Sequence, residues 1–120
     1  MKNFSKYLGM AVVLAGCATA TPAPTEQLAL SRAAVANAVS AGAPEFAAPD
    51  MSSAQDKLAR ATVAMTAENY DVARMLAEQA QVDAELAAAK ARSAKALKAA
   101  HAVEEDSRVL REELNRKGGK

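Results

Sequence analysis

The chain has no tryptophan, only two tyrosines and two phenylalanines, a single histidine and a single cysteine. Bulky aromatic anchors are therefore too scarce to build a thick core around. One imidazole cannot assemble a zinc site, and no H-E-x-x-H, G-x-S-x-G or Gly-rich phosphate loop occurs. The usual constellations for metal-assisted hydrolysis, acyl transfer and nucleotide binding are missing, and neither an enzyme nor a cofactor is expected. There is no excess of one charge, with 15 basic against 14 acidic side chains. The segment before Cys17 carries Lys2 and Lys6, so without it the balance is slightly acidic, which gives no reason to expect a nucleic-acid partner. The longest apolar run, Tyr7 to Leu14, is about eight residues where a membrane span needs about twenty.

What the chain has in abundance is alanine, about a quarter of all residues, accompanied by Leu, Lys, Arg, Glu and Gln. All are strong helix formers because they lose little rotamer freedom in a helix. An all-α fold in one modest domain is the expectation for a chain of 120 residues.

The first twenty residues read as an address. Lys2 and Lys6 precede the apolar run and small residues follow at Ala15 and Gly16, the order of a secretory signal. Leu14-Ala15-Gly16-Cys17 resembles a bacterial lipobox. That resemblance implies diacylglycerol on the Cys17 sulfur, cleavage before Cys17 and acylation of the freed amine. Three chains, palmitate among them, make a durable anchor where one would bind a bilayer only marginally. Two other readings stay open: cleavage after Ala18-Thr19-Ala20 releases a secreted soluble helical protein, and an uncleaved cytosolic chain keeps a free thiol. Ala18 after the cysteine is similar to the outer-membrane sorting pattern of Gram-negative lipoproteins. Residues 1–16 are thus a signal peptide, and 17–24, with Pro22 and Pro24, an acylated start and flexible tether.

Residues 25–117 form an Ala-rich helical domain and 118–120 a flexible tail. Thr25 is a candidate N-cap, with Glu26 in the first turn, for a helix running to Ala41 that Gly42 closes. Residues 43–49, with Pro44 and Pro49, read as a loop. Asp50 or Ser52 can cap a second helix, whose Met51, Ala54, Leu58, Ala61 and Met65 share one face. After a break at Thr66 to Asn69, a long helix extends from about Tyr70 to about Arg116 with no Pro or Gly inside it. Its stripe of Tyr70, Ala73, Ala77, Ala80, Ala84, Ala87, Ala91 and Ala94 is almost all alanine, so another helix can approach closely. The short connection makes the second and third helices an antiparallel hairpin.

Two surfaces of the long helix are left over. Val72, Met75, Val82 and Leu86 form a strip opposite the alanines, to be covered by the first helix or else offered to a partner, with Met75, Val82 and Leu86 as the candidate contact residues. Beyond Lys95, the row Ala96, Ala100, Val103, Ser107, Leu110 and Leu114 lies out of reach of the second helix. Either this half is a solvated helix or it self-associates through Val103, Leu110 and Leu114. The pairs Glu104 with Arg108, Arg108 with Glu112, and Glu112 with Arg116 stand at i,i+4 spacing along it. Lys90, Arg92, Lys95 and Lys98 form a basic patch, read as a soluble face or a site for acidic headgroups or anionic glycan. His101 and the run Glu104-Glu105-Asp106 read as solvated side chains.

Ala34-Val35, Ala38, Gly42-Ala43, Phe46-Ala47, Pro49, Met51, Ala54, Leu58, Ala61, Tyr70, Ala73, Leu76-Ala77, Ala80 and Ala84 together resemble domain-of-unknown-function family 4398, small Ala-rich bacterial envelope lipoproteins. The similarity spans about Leu28 to Ala91. Some members carry a following domain similar to the peptidoglycan-binding part of outer-membrane protein A, for which this sequence has no room. The spacing is also similar to a tetratricopeptide helical pair, although one pair is too few for a solenoid. The resemblance implies a non-catalytic outer-membrane lipoprotein facing the periplasm, held by lipid on Cys17 and binding or scaffolding an envelope protein. The alternative is a wall link similar in plan to the major outer-membrane lipoprotein, with Lys120 joined to peptidoglycan.

Overall fold

The computed structural model of the protein describes residues 21–119. Within them lie four helices and no strand: α1, Thr25–Ala41; α2, Ala43–Phe46; α3, Ala48–Thr66; and α4, Tyr70–Gly118. The all-α hairpin with a long last helix is the architecture the sequence predicts. One short helix is added, because residues 43–46 of the expected loop close a helical turn of their own.

The helix ends explain the difference. Gly42 takes the left-handed conformation at φ 93° and its N–H returns to the carbonyl of Val39, so α1 stops where predicted. Pro44 then sits in the first turn of α2, where its missing N–H costs nothing. Neither Asp50 nor Ser52 caps α3: that helix already starts at Ala48, with Ala47 before it and Pro49 in its first turn. Thr25 is likewise the first helical residue and not a cap; Pro24 precedes it. At the other turn, Asn69 donates to Ala64 and Glu68 to Met65 at 2.9 and 3.1 Å. This is a Schellman closure, and Glu68 holds the left-handed position at φ 58° that glycine usually fills.

Contacts fix the direction of each helix. Gln27 donates to Gln81 and Arg92 to Asn37, so α1 runs parallel to α4. Lys90 meets Asp50 while Ser53 and Lys57 meet Asp83, so α3 runs antiparallel to it. The alanine stripe is the shared floor for both neighbours, and Ala77, Ala80, Ala84, Ala87 and Ala91 are all fully buried. With only a methyl group between backbones, nothing on the α4 side keeps the helices from the close end of the 8–10 Å packing range. One cluster joins Ala38, Ala43, Ala47, Met51 and Ala54 to the middle of α4. A second, at the other end, joins Leu28, Ala61, Leu76 and Ala77, with Leu58, Met65 and Val72 against it.

The bundle occupies only the first half of α4. The α2 corner lies against Ala91 and Lys95, and every α4 residue from Lys95 to Asp106 is exposed. At 1.5 Å per residue the helix is about 74 Å long, and its last twenty or so residues project about 30 Å as an unaccompanied arm.

Candidate interaction surface

Three of the four residues in the strip opposite the alanines stay open to solvent. Met75 is 47 %, Val82 63 % and Leu86 45 % exposed. Val72 departs from them, half-buried in the cluster with Leu58 and Met65. Helix α1 does not cover the strip, because its parallel course follows the Gln81 and Arg92 side of α4, while α3 follows the Asp83 and Lys90 side. Both neighbours are drawn to the alanine floor, where close approach buries the most methyl surface. The side chains too large for that floor are left facing outward.

The arm continues the pattern. Val103, Leu110 and Leu114 are 65 %, 64 % and 69 % exposed, and Leu97, at the base of the arm, 60 %. Its polar side is held by short-range ion pairs that differ from those predicted. Arg108 pairs with Glu105 at 2.6 Å and with Glu112, and Arg116 pairs with Glu113 at 2.9 Å. Only the Arg108 with Glu112 pair follows the i,i+4 expectation; Glu104 instead lies 3.5 Å from His101. The Arg108 guanidinium holds the Glu105 carboxyl below the usual carboxylate range, and Arg108 is raised in return. These groups are solvated, so the pairs support the arm weakly.

The predicted basic patch does not form a common face. Lys90 is tied to both oxygens of Asp50 at 2.9 and 2.8 Å, and Arg92 to Asn37 at 3.2 Å. Lys95 and Lys98 sit 5.9 and 5.7 Å from the centre of the Phe46 ring, one helical turn apart on α4. These cations brace the α1–α2 corner and the start of α3 against α4. Sequence reasoning also missed Asp83, which accepts from both Ser53 and Lys57 at 2.6 Å. The Lys57 bond first, then the Ser53 bond, lowers the Asp83 pKa. The one available signal was a carboxylate on the edge of an otherwise apolar stripe.

An apolar groove of about 370 Å³ opens between α3 and α4, lined by Ala59, Arg60, Val63, Ala64, Val72 and Leu76. A polar hollow of about 450 Å³ lies where Arg74 reaches the Pro22 carbonyl beside Glu26. Among the described residues no group of three or more His, Cys, Asp or Glu side chains is placed to hold a metal ion. No helix among them is long and apolar enough to cross a membrane. Cys17 and Lys120 lie outside the described residues.

What the geometry defines is a small alanine-cored bundle with one long helix exposing an apolar outer face. The family model "Domain of unknown function (DUF4398)" matches residues 26–103, which takes in the whole bundle and the base of the arm. The chain belongs to that family. It is similar to a DUF4398 family protein from Pseudomonas aeruginosa PAO1 known from a crystal structure, with 40% sequence identity and a TM-score of 0.73. The match covers 80% of this chain and 99% of that one. No curated protein matches.

Proposed function

We propose that the protein is a non-catalytic lipoprotein of a bacterial outer membrane, tethered through lipid on Cys17, facing the periplasm and working as a helical protein-interaction module in the cell envelope. The observation that carries the interaction reading is the open face of Met75, Val82 and Leu86, set opposite a core of alanine. Large aliphatic side chains grouped outward on the bundle half of α4, whose other side is sealed by alanine, support reading that face as a contact surface. The envelope address is supported by Leu14-Ala15-Gly16-Cys17 behind a basic start and short apolar run. The prolines at 22 and 24 then give a short spacer before α1.

Mass spectrometry of the mature N-terminus tests the anchor. The expected species begins at an acylated Cys17; a mature chain beginning at Thr21 refutes it. Envelope pull-downs with wild type and with Met75, Val82 and Leu86 changed to Ser test the surface. Loss of captured partners is expected from the triple variant, and an unchanged set counts against the strip.

A further inference from the structure

The strip on the bundle and the row on the arm are one continuous seam. Steps of four and three lead from Val82 through Leu86 to Ala89 and Ser93. The same alternation continues through Ala96 and Ala100 to Val103, then through Ser107 to Leu110 and Leu114. Every member up to Val103 is exposed, as are Leu110 and Leu114, and only Ser107 is half-covered. A strict period of 3.5 drifts by about 20° per heptad on a straight helix, so the seam slides around α4. That drift is why its two ends look like separate features, and a left-handed supercoiled partner follows it.

We propose that this seam is occupied by a second copy of the chain, lying antiparallel, so that the arm of each copy covers Val82 and Leu86 of the open strip on the bundle of the other. The proposal rests on reading the outer face of α4 as the working surface and names its partner. The sequence sets the register. Placing Leu86 against Leu110 of the second copy also places Val82 against Leu114, Ser93 against Val103 and Ala96 against Ala100. Large side chains then meet large ones at both ends, with the small ones at the centre. Leu97, 60 % exposed and outside both core clusters, falls beside the two-fold axis and meets its own counterpart.

Flanking charges agree. Arg92 faces Asp106, Lys90 faces Glu104 and Asp83 faces Arg111 of the second copy, as additions to the bonds these three make to Asn37, Asp50 and Lys57 in their own chain, with Glu85 against Glu113 as the one like-charge pair. Sliding by one heptad puts Val82 against Ser107 and Glu85 against Asp106. A parallel pair puts Glu78 against Asp83 and Leu97 against Arg92. The antiparallel register joins Val82 and Leu86 to leucines and most flanking charges to opposite charges, with Val103 against Ser93 and Ala89 against Ser107 as its mixed layers. From Val82 to Leu114 the seam is about 49 Å long, and at one helix diameter, about 10 Å, its footprint is roughly 500 Å² per copy. The pair then buries on the order of 1,000 Å², at the threshold of what a specific interface needs.

The test uses the full chain carrying Cys17→Ser, which removes the acylation site and the only native thiol. Light scattering is expected to give twice the chain mass at micromolar concentration. Leu86→Asp and Leu110→Asp, each counted twice in the symmetric pair, are expected to weaken dimerisation by about 100-fold or more while leaving far-UV circular dichroism intact, since neither residue is in the core. A cysteine at position 97 (Leu97→Cys) is expected to cross-link to its own copy. Leu86→Cys and Leu110→Cys chains are expected to cross-link when mixed and not singly. A monomer, a dimer indifferent to both Asp variants, or Leu110→Cys chains coupling to themselves overturns the proposal. A monomer that still captures envelope proteins through Met75, Val82 and Leu86 overturns the second copy and leaves the interaction reading standing.

Discussion

Replacing Ala84 by leucine puts three more carbon atoms at a fully buried point where α1, α3 and α4 come together. The neighbours in that cluster are mostly alanines, Ala38, Ala54, Ala87 and Ala88 among them, whose methyl groups have no rotamers with which to make room. The extra volume is accommodated only by moving helices apart, which uncovers the alanines above and below. Overpacking costs typically 1–3 kcal/mol, and in so shallow a core the upper end applies, about 3 kcal/mol. For a domain of this size that lowers Tm by roughly 12–24 °C. Ala36→Leu, on the exposed side of α1, is the matched control and is expected to stay within about 0.5 kcal/mol of wild type. Urea and thermal unfolding followed by circular dichroism at low protein concentration read both variants. An Ala84→Leu chain as stable as the control refutes the reasoning, because it means the helices are not held at alanine distance.

Three further outcomes follow from the turns and the polar edge. Glu68→Gly is expected to stabilise by about 1 kcal/mol, since it relieves a side chain in the left-handed position at φ 58° without removing any hydrogen bond to Glu68; a higher urea midpoint checks it. Gly42→Ala is expected to cost about 1 kcal/mol through its φ of 93°, with little added by the contact at 2.6 Å, because the atom met is the mobile Nζ of Lys95. Removing Lys95 in the same chain as Lys95→Ala is expected to restore little of that loss. Asp83 has its pKa depressed in the folded state, so its contribution is complete above the ordinary carboxylate pKa and is lost as pH falls below it. Unfolding midpoints measured from neutral to acid pH should therefore fall less in Asp83→Asn than in wild type, and a Lys57→Ala, Asp83→Ala double-mutant cycle should give a coupling of about 1 kcal/mol or less.

Sequence patterning located both ends of α1 and α4 to within two residues because those boundaries are set locally, whereas it read α2 as loop and started α3 three to five residues late. Gly42 fixes the end of α1, the uninterrupted run after Asn69 fixes α4, and alanines at steps of three and four fix its buried side. The caps were misread at Thr25, Asp50 and Ser52, since proline in the first turn lets a helix begin earlier than a polar side chain suggests. Met75, Val82 and Leu86 were legible as one strip, but whether α1 would lie over them was not.

That question belongs to tertiary structure. Helical period, alanine richness and the length of α4 are properties of consecutive residues, and the sequence by itself determined them. Which side of α4 each neighbour takes depends on partners far apart in the chain: Gln27 with Gln81, Asn37 with Arg92, Lys57 with Asp83 and Asp50 with Lys90. Both neighbours sink onto the methyl floor, where backbones approach most closely and dispersion contacts are densest. The apolar face left open on α4 is what remains when those two places are taken.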